Sequence, residues 1–69
     1  MITEDKAYDI LALDQSATPE EILARYQALK DQYKKIKEET EDLKTQLAYQ
    51  LKTIELDDVF IYFRTCQKI

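Results

Sequence analysis

Residues 18–36, Thr18-Pro19-Glu20-Glu21-Ile22-Leu23-Ala24-Arg25-Tyr26-Gln27-Ala28-Leu29-Lys30-Asp31-Gln32-Tyr33-Lys34-Lys35-Ile36, carry the reading of the fold. Pro19 is the only proline in the chain. It stands where a helix tolerates one, at the first helical position, with Thr18 before it as a cap and Glu21 placed to return the capping bond. Downstream, Ile22, Tyr26, Leu29, Tyr33 and Ile36 recur at alternating spacings of four and three, which puts all five on one stripe of a helix. The spacing predicts a helix over 19–35. Upstream, Ala7, Tyr8, Leu11 and Ile10 predict a shorter amphipathic helix over 3–13, with Asp14-Gln15-Ser16-Ala17 as the connector.

Beyond Tyr33 two readings compete. The apolar stripe runs on through Leu43 and Leu47 with no glycine or proline to interrupt it, as one continuous helix would require. Yet Lys30, Lys34, Lys35 and Lys37 are followed by Glu38, Glu39, Glu41 and Asp42. Positive charge then negative charge is the order expected where one helix ends and another begins. An unbroken helix from Pro19 to Leu56 would be roughly 57 Å long, too long for this chain to fold around by itself. A break near residues 35–40 instead lets Tyr26, Leu29 and Tyr33 face Leu43, Leu47, Leu51 and Ile54 across an antiparallel hairpin, with a third helix over 40–55. The segment Val59-Phe60-Ile61-Tyr62-Phe63 has the β-branched and aromatic bias of a strand but no strand to pair with. Read as a further short helix over 57–67, it puts Leu56, Val59, Phe60 and Phe63 on one face, capped by Asp57 or Asp58, and leaves Ile61 and Tyr62 pointing elsewhere.

Composition narrows the function. The 69 residues include no His, no Gly, no Trp and one Cys, so the usual proton shuttle and phosphate-cradling loops are missing and a non-enzymatic role is expected. Hydrophobic residues make up 45% and charged residues 35%, enough for a core and a solvated exterior in a single domain spanning 1–69. A net charge of −4 argues against nucleic acid or an anionic membrane as ligand, since both reward excess Lys and Arg. The acidic start, Ile2-Thr3-Glu4-Asp5, does not read as a secretory leader. A lone Cys66 permits no internal disulfide, which fits a reducing compartment: the cytoplasm by default, with an organellar matrix also open.

From Tyr8 to Tyr33 the sequence YDILALDQSATPEEILARYQALKDQY resembles, without a gap, the first two helices of a J domain, the co-chaperone module that engages Hsp70 proteins. Tyr8, Ile10 and Leu11, then Ala17, Glu20-Glu21-Ile22, Tyr26, Leu29 and Tyr33 carry the likeness, which covers slightly over a third of the chain. These are mostly packing positions, so they imply the fold more strongly than the activity. In the family the tyrosine matching Tyr33 is followed by His-Pro-Asp, the loop motif needed to stimulate the Hsp70 ATPase; here Lys34-Lys35-Ile36 stand in its place. The family's basic face on the second helix is represented by Leu23, Ala24, Gln27, Ala28 and Gln32. The resemblance therefore implies an all-α, J-like domain with a central antiparallel hairpin and no Hsp70-stimulating activity. Such a domain acts as a scaffold or regulator and pairs with a J protein or another chaperone-complex component.

The candidate partner-binding residues are Lys30, Lys34, Lys35, Lys37, Ile61 and Tyr62. The lysines form either a docking patch for an acidic partner or a solvated helix end, and Ile61 and Tyr62 form leftover apolar surface. The expected core is Tyr8, Leu11, Ile22, Tyr26, Leu29, Tyr33, Leu43 and Leu47, with the tyrosines as packing residues whose hydroxyls reach solvent. No cofactor or metal is expected: Glu38, Glu39, Glu41 and Asp42 lack the turn glycine of a calcium loop and read as a helix start. Cys66, with only Arg64 and Lys68 near it, reads as half-buried and apolar. The runner-up is a structural coiled-coil module built on one continuous helix, dimeric through the stripe from Ile22 to Ile54.

Overall fold

The computed structural model describes residues 2–69. Among them are three α-helices and no strand: α1 (Glu4–Leu11), α2 (Pro19–Glu39) and α3 (Leu43–Thr65). Among the described residues no helix is long and apolar enough to cross a membrane.

Each helix start has a polar cap. The Thr3 side chain accepts from the Lys6 amide at 3.3 Å and the Thr18 hydroxyl accepts from the Glu21 amide at 3.2 Å, with Pro19 in the first turn as its fixed φ requires. The Glu21 carboxylate takes the Thr18 hydroxyl rather than the backbone amide that a full capping box would use. Helix α1 ends at Leu11, two residues short of the expected 13, because Ala12 enters the left-handed region at φ 56°. The Leu13 amide then reaches back to the Tyr8 carbonyl at 3.0 Å, the six-to-one closure that satisfies a helix C-terminus. Helix α3 ends the same way, with Gln67 at φ 59° and the Lys68 amide on the Phe63 carbonyl at 2.9 Å.

The long helices are separate, so the continuous-helix alternative is not formed. α2 ends at Glu39, four residues beyond the expected 35, and the break falls at residues 40–42. Thr40 is extended, its hydroxyl accepts from the Asp42 amide at 3.2 Å, and Asp42 caps α3 by accepting from the Thr45 amide at 3.3 Å and its hydroxyl at 2.7 Å. The Gln46 side-chain amide closes the turn on the Thr40 carbonyl at 2.9 Å. Beyond it α3 runs unbroken to Thr65, so the expected pair of helices over 40–55 and 57–67 is one element. Asp57 and Asp58 sit mid-helix and cap nothing; Asp57 is instead drawn to α2.

α2 and α3 run antiparallel, as their cross-helix partners require. Tyr26 stacks on Phe60 with ring centroids 4.6 Å apart, and Tyr33 meets Tyr49 at 5.5 Å. α1 covers the open end of this hairpin, away from the turn, where Tyr8 meets Phe63 edge-on at 5.0 Å. Ala7, Tyr8, Leu11, Ile22, Leu56, Val59 and Phe63 form the buried core, with Ile10, Tyr26, Leu29, Tyr33 and Tyr62 among the side chains packed against it.

The hairpin faces are not those expected. Leu43 and Leu47 are 66% and 53% exposed and belong to no core; Leu51 and Ile54 are exposed with them. The α3 stripe turned inward is Tyr49, Thr53, Leu56, Phe60 and Phe63, offset by two residues and therefore lying on nearly the opposite side of the helix. Two stripes compete for one partner helix, and the aromatic one prevails because it matches the tyrosines of α2 and offers larger surfaces to bury. Its threonine is also satisfied, the Thr53 hydroxyl donating to the Tyr49 carbonyl at 2.8 Å.

Candidate functional site

Among the described residues no three His, Cys, Asp or Glu side chains come together as a cation site, and no polar side-chain atom is buried without a partner. The chemistry-bearing residues are instead dispersed along the helices, and the candidate site is a surface.

Lys30, Lys34 and Lys37 recur at spacings of four and three on one side of α2, and Lys35 lies off that side. Lys30 leans across to α3, donating to the Tyr26 hydroxyl at 3.0 Å and lying 3.4 Å from the Asp57 carboxylate, while the Tyr26 hydroxyl donates to Asp57 at 2.8 Å. The Tyr26 hydrogen bond first, and then the Asp57 charge, hold the Lys30 ammonium above its ordinary range. Lys30 is thus a packing residue joining two helices. Lys37 is half-buried; Lys34 and Lys35 are exposed and point about 100° apart, as successive helix residues must. The outward face of α2 mixes neutral and charged side chains, with Glu20, Asp31, Lys34, Lys35 and Glu38 exposed on it. Leu23, Ala24, Gln27, Ala28 and Gln32 are exposed there, Gln27 is bonded to Asp31 at 3.0 Å, and the Arg25 guanidinium is turned back to the Leu11 carbonyl at 3.3 Å.

Ile61 and Tyr62 differ in exposure. Ile61 is 60% exposed, whereas Tyr62 is half-buried edge-on against Phe63 at 5.5 Å, and that partial burial pushes its hydroxyl above the ordinary tyrosine range. Cys66 is exposed, not half-buried, because the helix ends there and Gln67 turns the chain away. The tail is pinned by Lys68, whose ammonium meets the Glu4 carboxylate at 2.9 Å and the Tyr8 hydroxyl at 3.5 Å. These contacts, Glu4 first, raise the Lys68 pKa.

The largest apolar surface left over runs along α3. Leu43, Leu47, Leu51, Ile54 and Ile61 are each more than half exposed. From Leu47 onward they follow a four-three alternation interrupted by Asp58, so they line one side of the helix for about 27 Å from Leu43 to Ile61. Toward Ile61 the stripe borders an open groove of about 640 Å³ between α1 and α3, walled by Ile2, Ile10, Ile61 and Tyr62 and rimmed by Glu55, Asp58 and Lys6. Of the expected site residues, Ile61 lies on this stripe and Tyr62 walls the groove beside it. The sequence pattern points the remaining members of the stripe toward α2, with Leu43 and Leu47 in the expected core, although their repeat is two residues out of step with the aromatic stripe.

No family model, curated protein or solved structure matches the chain.

Proposed function

We propose that this chain is a non-catalytic protein-docking domain, a J-like scaffold or regulator that does not stimulate an Hsp70 ATPase. The observation that carries the docking role is α3, which is apolar on two opposite sides while only one side is covered within the chain. A helix hydrophobic all round is normally buried all round, so the uncovered stripe fits a partner surface.

Three features support the regulatory half of the reading. The first two helices carry the J-like segment from Tyr8 to Tyr33. The positions where the family has His-Pro-Asp are occupied by Lys34, Lys35 and Ile36, which lie inside α2 rather than in a loop. Leu23, Ala24, Gln27, Ala28 and Gln32 of α2 are neutral and exposed at the positions where an Hsp70-binding J domain is basic. The test is an Hsp70 ATPase assay with the purified chain alone and with a competent J domain. The chain alone is expected to leave the basal rate unchanged and to alter the rate obtained with the J domain. Stimulation by the chain alone removes the reading; no effect in either arm removes its chaperone component.

A further inference from the structure

We infer that the exposed stripe of α3 takes a second copy of this chain, packed antiparallel about a two-fold axis near Leu51 and Ile54. The inference rests on reading the stripe as a protein-docking surface, and it names the occupant.

The stripe reads as a coiled-coil seam, Lys44, Leu47, Leu51, Ile54, Asp58 and Ile61, with alternating spacings of three and four and one opposite charge toward each end. Among the described residues neither Lys44 nor Asp58 is in an ion pair, and both are exposed. Parallel packing would place Lys44 against Lys44 and Asp58 against Asp58 in the same layers, a repulsive arrangement. Antiparallel packing that sets Leu51 against Ile54 instead puts Leu47 over Asp58 and Lys44 over Ile61. Lys44 of one copy then stands in the layer next to Asp58 of the other, about 5 Å along the axis and within reach of a lysine side chain.

Shape agrees with charge. α1 covers only the end of the hairpin remote from the turn, so the groove lies beside residues 55–62 while Leu43 and Leu47 project bare at the turn end. In the antiparallel arrangement those two leucines arrive over Asp58 to Tyr62, beside the groove walled by Ile2, Ile10 and Ile61. The acidic rim meets Lys44 between them. Because the operation is a two-fold, the same contact forms twice, as a self-complementary dimer interface requires.

Sedimentation equilibrium of the full chain should show a reversible step from the 8.2 kDa chain to twice that mass. Leu47→Glu should abolish the step, with far-UV circular dichroism confirming retained helix content. Lys44→Glu and Asp58→Lys should each raise the dimer dissociation constant about tenfold, and together restore it to within about threefold, since the double change re-forms the opposite-charge neighbours. A chain that stays monomeric up to about 100 μM overturns the inference; so does a dimer indifferent to Leu47→Glu, or one that the double charge exchange does not rescue. A monomer that nevertheless captures a J domain through the stripe overturns the second copy while leaving the docking role intact.

Discussion

At the scale of single residues, the hairpin depends on a few polar groups placed where the apolar pattern is silent. Tyr26 shows how one side chain serves two purposes: its ring stacks on Phe60 while its hydroxyl accepts from Lys30 and donates to Asp57. Tyr26→Phe keeps the ring and removes the link, so a loss of about 1 kcal/mol in urea unfolding is expected. Asp42 makes a different contribution. Its carboxylate caps α3, and the hydrogen bond from the Thr45 hydroxyl holds its pKa below 3.8. A carboxyl whose folded pKa is depressed stabilises above its unfolded value and loses that contribution as pH falls through the folded one. Asn caps as well as Asp but does not titrate. The melting-temperature difference between the wild type and Asp42→Asn should therefore be constant above about pH 5 and drift against the wild type as pH drops below 3.8. A difference that is flat through acid would show that the Asp42 charge contributes nothing.

At the scale of elements, α2 was legible because its signals agree: Thr18, Pro19 and a single apolar stripe all specify the same start and the same inward face. α3 was less legible because it carries two stripes of comparable hydrophobicity, and periodicity alone cannot say which meets α2. The tyrosines of α2 held the answer, since they pair with Tyr49 and Phe60 and not with leucines. The lower ends of α1 and α3 were illegible for another reason. They stop at Ala12 and Gln67 in the left-handed region, a conformation that neither residue type announces and that no glycine marks in this chain. The two faces of α3 can be weighed directly. Leu56 is fully buried, so Leu56→Ala should cost about 2–5 kcal/mol. Leu51 is 67% exposed, so at dilute, monomeric concentrations Leu51→Gln should change stability by no more than about 0.5 kcal/mol. Equal losses at the two positions would mean that the leucine stripe faces α2 after all.

At the scale of the whole molecule, the core is small for the surface it must hold together. Seven of the described residues are buried, all but Ile22 from α1 and the second half of α3, and the half of the hairpin nearest the turn has none of them. Chains of this size are marginal unless something further is covered, and the uncovered stripe begins in the half that lacks a core. Self-association would close that half, by laying Leu43 and Leu47 of each copy against the better-packed end of the other. Its thermodynamic signature is a melting temperature that depends on concentration, because mass action stabilises whatever binds only the folded state. Each tenfold rise in concentration contributes about 1.4 kcal/mol per dimer, or about 0.7 kcal/mol per chain. For a domain this short, that corresponds to an increase of roughly 3–5 °C. Thermal unfolding followed by circular dichroism across two decades of concentration, bracketing the dissociation constant, should show this rise in the wild type and a flat line for Leu47→Glu. A wild-type melting temperature independent of concentration would mean that the hairpin is held by its seven-residue core and the α2–α3 aromatic contacts alone.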